Sequence, residues 1–203
     1  MSVLELTQLR VKGLSADDPA LLQSLSVVRG QLHTNSAFYH CIEDPTLIYI
    51  LGVWPSLEAH LEFLASPARD EVLGPQENVL QFCWTVHMKL EGMSSLPLDA
   101  PVLAIEILSV KGDCVDAFDQ AAMRHTQLLL GGSHPFKVAH GWRCDAVAGS
   151  HEALIFSGWL NAHAHVTFTA RQEGYGDGDN AAIAGQYEEI QVHHARNLER
   201  KEA

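Results

Sequence analysis

The chain contains the same sequence pattern twice, and this duplication constrains its fold more than any other feature. The segment Val3–Gly13 recurs as Val102–Gly112, with Val, Leu, Leu, Val, Lys and Gly in the same places. The offset is too long for a solenoid, whose repeats span roughly 20–50 residues. The pattern therefore predicts two copies of one small domain, fused head to tail.

Two further matches follow in the same order along each half. Trp54 and Trp159 are each followed by an Ala-His pair, and a Val-His pair closes the halves at His87 and His193. We therefore predict a first repeat over residues 1–92 and a second, diverged repeat over residues 102–203. The Ser- and Pro-containing residues 93–101 between them are predicted to be a linker.

Each half predicts the element order β-α-β-β-α-β. In the first half, Asp18 and Pro19 form a helix start, the run from Thr46 to Trp54 has the composition of a buried strand, and Ser56 begins a second helix. The second half repeats this order, with an extra glycine-rich loop over residues 174–179. The order predicts an α+β fold of two tandem ferredoxin-like repeats, each an antiparallel sheet with both helices on one face.

The last strand of the first half suggests how the two repeats would pack. Phe82, Trp84, Val86 and Met88 alternate with more polar residues, which predicts one strongly apolar sheet face away from the helices. Pressing two such faces together would bury both. We therefore expect an intramolecular dimeric α/β barrel, so that the protein is either a monomeric pseudo-dimer or a homodimer of such chains.

Charge and hydropathy exclude several function classes. The formal net charge of −12 repels phosphate backbones and anionic membranes, so neither nucleic acid nor a membrane is an expected partner. Neither an apolar run long enough to cross a bilayer nor a secretory leader is visible in the sequence, which leaves the cytoplasm as the expected compartment. The four cysteines lack Cys-x-x-Cys spacing and are expected to be reduced.

The segment Trp54–Pro67 resembles the strand-to-helix region of antibiotic-biosynthesis-monooxygenase (ABM) domains. Shared features are the Trp that ends the third strand, the Ala-His pair on the following helix, and the Ser-Pro break after it. The resemblance implies membership of the dimeric α+β barrel superfamily, with a substrate cavity between sheet and helices in each half. That superfamily includes cofactor-independent monooxygenases, haem-degrading enzymes, polyketide cyclases and decarboxylases, so fold alone does not choose the reaction.

Histidines are the candidate catalytic groups. His60 and His165 lie on the inner face of the second helix of each half, where a neutral imidazole can remove a proton. His87 and His193 close the last strands, and Glu106 on the first strand of the second half is a candidate to orient His193. The competing interpretation of His60 and His165 is a core histidine bonded to a backbone carbonyl. For His87, His193 and Glu106 it is a structural or solvent-facing role.

Aromatic and polar residues on the strands are the candidate substrate-binding groups. They could stack on an aromatic ring or bind its oxygens, and Arg143 could neutralise an enolate or carboxylate. Each strand residue points to the cavity or away from it, and the sequence leaves this open. The candidates are Tyr39, His40, Tyr49, Trp54, Trp84, His140, Trp142, Arg143 and Trp159.

Neither a metal nor an organic cofactor is expected. His163 and His165 are two apart on a helix, and His193 and His194 are adjacent on a strand, so neither pair converges. Haem-degrading relatives carry an asparagine on the first strand, where this chain has Glu5, Thr7 and Gln8. Dinucleotide, P-loop and serine-hydrolase motifs are absent from the sequence.

Together these features predict a cofactor-independent tailoring enzyme acting on an aromatic or polyketide-like small molecule. A buried histidine would remove a proton, and the resulting anion would be stabilised by protein donors. The anion could then react with dioxygen, cyclise or lose carbon dioxide, and the sequence does not separate these outcomes. The alternative is a non-catalytic protein that binds a small molecule or serves in a stress response.

Overall fold

The computed structural model describes residues 1–174 and 185–200. Most of the predicted glycine-rich loop lies outside these described residues. The chain forms two compact units: unit 1 consists of Met1–Met93 together with Ala195–Ala203, and unit 2 of Ser94–His194. The C-terminal end of the chain therefore belongs to the first unit, whereas the sequence predicts it to be part of the second repeat.

Unit 1 has a four-stranded antiparallel arrangement in the order β4-β1-β3-β2. The last residues of strand β8 (Tyr187–Asn197) add to it, because Cys41 in β2 pairs with Ala195. The elements of unit 1 are β1 (Val3–Val11), α1 (Pro19–Leu32), β2 (Ala37–Cys41), β3 (Leu47–Trp54), α2 (Leu57–Ala65), α3 (Pro67–Leu73) and β4 (Leu80–Lys89).

Unit 2 has the strand order β8-β5-β7-β6, which is the order of unit 1 position by position. Its elements are β5 (Val102–Val110), α4 (Val115–Ser133), β6 (Val138–Trp142), β7 (His151–Trp159), α5 (Ala162–Gly174) and β8 (Tyr187–Asn197). The mixed α+β class with antiparallel pairing is confirmed. The origin of the units as tandem repeats, and the face-to-face barrel, stay predictions.

Local sequence explains where the helices of unit 1 begin and end. Asp18 accepts a hydrogen bond from the Ala20 amide at the start of α1, and Ser56 accepts one from the Ala59 amide at the start of α2. Pro67 stops α2, because the residue before a proline is pushed out of the helical region, and it then occupies the first turn of α3. The Ser-Pro break thus produces a separate helix, which the sequence analysis did not predict.

One predicted sheet face is wrong at the beginning of β4, at Leu80 and Phe82. A register shift between Gln8 and Leu9 places Phe82 opposite Leu9 and Trp84 opposite Gln8. Residues directly opposite each other share a face, so Phe82 lies on the helix side of the sheet while Trp84 lies on the other side. A β-bulge of this kind is invisible to a strict alternation rule.

The sheet face away from the helices is buried in unit 1. Leu4, Leu6, Tyr49 and Leu51 lie on that face and are each 0% exposed. Burial of this extent indicates that the face forms core rather than solvent-facing surface. Within the described residues, no helix is both long enough and apolar enough to pass through a lipid bilayer.

Unit 2 differs from unit 1 in its helices. Helix α4 has 19 residues, against 14 for α1. Helix α5 continues unbroken to Gly174, where unit 1 has two helices separated by Ser66. Between helices and sheet, unit 2 is filled by an apolar cluster that includes Phe118, Leu129 and Ile155, with Phe168 packed against it. The same general layout therefore produces two different interiors.

Candidate functional site

A cavity of about 600 Å³ lies inside unit 1, between the helices and the sheet. This volume is within the range of about 300–1,000 Å³ found for small-molecule sites. Its walls come from α1, α2, α3 and strands β1, β2, β3 and β4, and they are mainly apolar. Prominent apolar members are Leu9, Leu25, Val28, Phe38, Ile50 and Phe63. A largely apolar small molecule would fit this environment.

A carboxylate is held at one end of the cavity. Glu5 Oε1 accepts a hydrogen bond of 2.6 Å from the Thr7 hydroxyl, and Glu5 Oε2 accepts one of 2.5 Å from Trp54 Nε1. Thr7 is in turn 2.7 Å from the Thr85 hydroxyl. Both carboxyl oxygens of Glu5 are therefore held in place by hydrogen bonds, and the residue lines the cavity.

His60 on α2 lies next to this carboxylate and lines the cavity. Its ring stacks on Trp54 with 4.3 Å between centroids and 12° between planes. Nδ1 of His60 is 2.7 Å from Nε2 of His87, and Nε2 of His60 is 3.8 Å from Oε2 of Glu5. The sequence predicts neither contact of His60, yet together they give an imidazole a proton partner on one side and a carboxylate on the other.

Two hydroxyls line another part of the cavity wall. Thr34 Oγ1 and Ser36 Oγ are 2.6 Å apart, and the two residues are 4% and 7% exposed. They lie over Gly52, where an added Cβ would come within 2.6 Å of Ser36 Oγ. Gly52 is directly opposite Glu5 in the β1–β3 register. The hydroxyl pair therefore lies one strand away from the carboxylate.

Unit 2 has an equivalent pair of histidines, but its acidic residue occupies a different position. His165 Nδ1 is 2.9 Å from His194 Nε2, just as His60 contacts His87. The acid nearby is Glu106, whose Oε1 is 3.5 Å from His165 Nε2 and whose Oε2 is 3.9 Å from His125 Nε2. Glu106 is 3% exposed. The group is thus sealed inside a packed core.

The strand registers show that the acids of the two units occupy different positions on their strands. Val3 opposes Trp54 and Val102 opposes Trp159, so the position of Glu5 corresponds to Ala104. Two residues further along each strand, Thr7 corresponds to Glu106, and residues two apart share a face. Each unit therefore presents a carboxylate to its second long helix, α2 in unit 1 and α5 in unit 2. The two carboxylates come from strand positions that differ by two residues.

The hydrogen-bond acceptor of the tryptophan indole also differs between the two units. Trp159 Nε1 donates to Ser157 Oγ at 2.8 Å, and Ser157 occupies the position of Gly52 in unit 1. Trp54 donates to Glu5 instead. The side chain at this position of unit 2 fills space that Gly52 leaves open, which is consistent with the packed interior of unit 2.

Several predicted residues do come together. Trp54, His60 and His87 form one contact group in unit 1, and the first two line the cavity. Glu106 and His165 meet in unit 2, with Trp159 beside His165 at 5.0 Å between ring centroids. In the described residues, no set of three or more His, Cys, Asp or Glu is placed to hold a metal ion.

The predicted pairing of His193 with Glu106 is wrong. His194, not His193, contacts His165, and the histidines near Glu106 are His125 and His165. Adjacent strand residues point to opposite faces, so aligning the two Val-His pairs by sequence selected the wrong neighbour. His193 is therefore not part of the group around Glu106.

Three predicted binding residues lie on the sheet face away from the cavity. Tyr39 opposes Tyr49 in the β2–β3 register, and Tyr49 accepts a hydrogen bond from Gln8 Nε2 at 3.0 Å. Trp84 packs 6.3 Å from the Tyr49 ring. Burial raises the pKa of Tyr49 far above its usual value, which keeps the phenol protonated. His40, also a candidate, is not among the cavity-lining residues.

The strand candidates of unit 2 are engaged in the structure of that unit. Arg143 binds Asp145 and Glu152 at 2.8 and 2.7 Å, so its charge is already compensated rather than available to a ligand. Trp142 Nε1 donates to Asp119 at 2.7 Å. His140 Nδ1 lies 3.3 Å from the Thr126 hydroxyl.

Several residues of these polar groups have only a weak signal in the sequence. Glu5 is a charge on an apolar strand, spaced two residues from Thr7, and this spacing places both on one face. Thr34 and Ser36 flank Asn35, which has a φ of 50°, a left-handed conformation that asparagine tolerates better than most residues. His125 and His194 carried no motif that separates them from the other histidines.

Comparisons with known proteins identify the fold only. No family model matches the sequence, and no curated protein matches it. Among solved structures, a "putative monooxygenase" from Fusobacterium nucleatum is 9% identical, with 98% of this chain and 93% of that chain covered and a TM-score of 0.65. An anthrone oxidase-like protein is 14% identical, with coverage of 99% and 95% and a TM-score of 0.59.

A mutant chlorite dismutase from Candidatus Nitrospira defluvii is similar as well. It is 10% identical, with 97% of this chain and 92% of that chain covered and a TM-score of 0.60. The names of these three proteins denote different reactions, so the shared fold does not decide the chemistry. The comparisons therefore show a shared fold and no more.

Proposed function

We propose that the protein is a cofactor-independent oxygenase that acts on a ketone-bearing aromatic carbon acid of the anthrone type. The observation that carries the proposal is the mainly apolar cavity of unit 1, with His60 and Glu5 adjacent at one end. Two fold neighbours carry names that refer to oxidation, a "putative monooxygenase" and an anthrone oxidase-like protein, which supports the proposal.

His60 is the proposed base. In the tautomer whose Nδ1–H donates to Nε2 of His87, Nε2 of His60 is the atom that takes the proton from the substrate C–H group. Proton transfer makes His60 an imidazolium whose Nε2 lies 3.8 Å from Oε2 of Glu5. The fixed carboxylate then stabilises the positive charge that develops during proton removal.

The resulting carbanion is electron-rich enough to react with dioxygen directly. One electron passes to dioxygen, the carbon radical and superoxide combine to a peroxide, and the proton returns from His60 to the distal oxygen. Loss of water leaves a new carbonyl. The balance for anthrone is one anthrone plus one dioxygen giving one anthraquinone and one water, so no external reductant is required.

The proposal assigns turnover to unit 1 alone. Glu106 and His165 are as deeply buried as His60, but they lie against the packed apolar cluster of unit 2, whereas His60 lines the cavity. A substrate ring would have to displace core side chains such as Phe118 to reach them, and opening a packed interior by that amount is unfavourable. We therefore interpret the polar group of unit 2 as structural.

Dioxygen uptake with anthrone tests the proposal. We expect stoichiometric uptake of dioxygen and formation of anthraquinone at a rate well above the uncatalysed autoxidation measured with heat-unfolded protein. His60→Gln should abolish the enhancement while the folded state is retained. Saturable binding of anthrone without any dioxygen uptake by the wild type would instead favour the non-catalytic small-molecule-binding protein.

A further inference from the structure

We infer that the hydroxyl pair of Thr34 and Ser36 is the binding site for the substrate's ketone oxygen, and that it stabilises the oxyanion formed when His60 removes the proton. This inference rests on the proposed function, because it assigns the second half of the same reacting group. Both residues line the cavity, yet each is more than nine-tenths buried.

One of the two hydroxyl groups can donate a hydrogen bond to a ligand. The hydroxyls are 2.6 Å apart, and either can be the donor. One hydrogen is used between Thr34 and Ser36, so the hydroxyl that accepts retains its own hydrogen for another acceptor. A negative oxygen is a stronger acceptor than a neutral ketone, so the bond strengthens as the substrate loses its proton.

The surrounding backbone holds the pair in place. His33 and Asn35 on either side of Thr34 have φ values of 54° and 50°. The Ser36 carbonyl accepts a 2.9 Å bond from Arg29, and the Thr34 carbonyl accepts one of 3.1 Å from the Val53 amide. Non-glycine residues in the left-handed region persist where the neighbouring contacts fix them. Pre-organisation of this kind is what an oxyanion donor requires.

The position of the pair matches the geometry of the proposed substrate. Gly52 lies directly opposite Glu5, and neighbouring strands are about 4.8 Å apart. Ser36 Oγ leans over Gly52. The ketone and the acidic methylene of an anthrone lie at opposite positions of its central ring. A ring placed across β1 and β3 therefore puts its oxygen at the pair and its methylene near Glu5 and His60.

Unit 2 lacks the Ser36 hydroxyl. The register of β2 and β6 with their neighbours places Val138 at the position of Ser36. Gly52 likewise becomes Ser157. The imidazole pair is present in both units, whereas the hydroxyl pair accompanies the cavity in unit 1. This association is expected if the hydroxyls serve the ligand rather than the fold.

The test combines turnover with the ionisation of a non-reacting probe. The double variant Ser36→Ala/Thr34→Val removes both hydroxyls, and Gly52→Ala keeps both but displaces the Ser36 side chain. Thr126→Val is the matched control, because it removes a comparably buried hydroxyl from α4 of unit 2. Folding of each variant is checked by thermal unfolding.

We expect kcat/KM for anthrone to fall about 10- to 100-fold in the double variant and in Gly52→Ala, at or below the effect of losing one oxyanion donor. The pKa of bound 2-naphthol, read from its absorbance, should be higher in the double variant than in the wild type. Thr126→Val should match the wild type in both measurements.

The outcomes separate the two proposals. Unchanged turnover and unchanged naphthol ionisation in the double variant would overturn the role of the pair and leave the oxygenase proposal standing. Naphthol ionisation that depends on the pair, in a wild type that consumes no dioxygen with anthrone, would support the oxygen-binding site and overturn the oxygenase. Failure of the wild type to bind 2-naphthol would overturn the oxygen-binding site.

Discussion

The two units share an order of strands but use their interiors differently. Both place a tryptophan and a pair of histidines beside an acid, yet the acid is Glu5 at the wall of a cavity in unit 1 and Glu106 inside a packed core in unit 2. In the aligned strands, the acid of unit 2 lies two residues further along than the acid of unit 1. The same polar set can therefore serve chemistry or packing, depending on what surrounds it.

The helices explain much of this difference. Pro67 breaks the second helix of unit 1 and starts α3, which contributes Arg69 and Leu73 to the cavity wall. In unit 2 the corresponding helix is unbroken, and Phe168 packs so closely on α4 that a Cβ at Gly132 would meet its ring at 2.3 Å. Pro67 thus accompanies the cavity of unit 1, and Gly132 accompanies the close packing of helices in unit 2.

The largest expected effect is a difference in turnover between variants of the equivalent histidines His60 and His165. His60→Gln should reduce turnover of anthrone at least about 100-fold, the lower end of the range for loss of a general base. His165→Gln should leave turnover within about twofold of the wild type, because unit 2 contributes no group to the reaction. Equal losses in the two variants, measured as initial dioxygen uptake, would contradict the division of roles.

The next effect concerns the equivalent phenylalanines. Phe168→Ala should reduce the free energy of unfolding by about 2–3 kcal/mol, because it opens a void in a packed cluster. Phe63→Ala should cost about 1 kcal/mol, since Phe63 already borders a cavity. Urea unfolding of both variants provides the measurement, and the reverse order would show that unit 2 is the hollow one.

A third comparison uses the two acids. Glu106→Gln should reduce the free energy of unfolding by about 1–3 kcal/mol, since it disturbs a fully buried polar group. Glu5→Gln should cost less than about 1 kcal/mol but should slow turnover, because the amide does not stabilise the imidazolium of His60. A stability loss from Glu5→Gln that exceeds the loss from Glu106→Gln would argue against this assignment.

The smallest expected effect is a pH dependence in unit 2. His140 replaces Phe38 of unit 1 in the strand register, and desolvation lowers the pKa of His140 in the folded protein. The unfolded state therefore binds the proton first, so stability is lost as the pH falls through about 6.5, the usual histidine value. His140→Phe should flatten this loss between pH 7 and 5.

Thermal unfolding across that pH range checks the last prediction. The effect should be small because His140 is partly exposed, and solvent weakens the penalty on the charged imidazole. A steeper acid destabilisation in His140→Phe than in the wild type would contradict the assigned sign.

Much of the fold was predictable from local signals. Asp18, Pro19 and Ser56 fix helix starts through capping chemistry that involves only neighbours in sequence. The site was less predictable, because it depends on strand register. The bulge beside Gln8 reverses the face of Phe82, and one residue of offset in β8 exchanges His193 for His194. Such shifts leave composition and spacing unchanged, so only the pairing of strands reveals them.

A crystal structure of the protein with bound anthraquinone would test the central claim most directly. The account predicts one ligand per chain, inside the cavity of unit 1, with one ring oxygen within hydrogen-bond distance of the Thr34–Ser36 pair and the opposite edge of the ring toward His60. Anthraquinone bound among the residues around Glu106 in unit 2, or a unit 1 cavity that stays empty at saturating ligand, would contradict it.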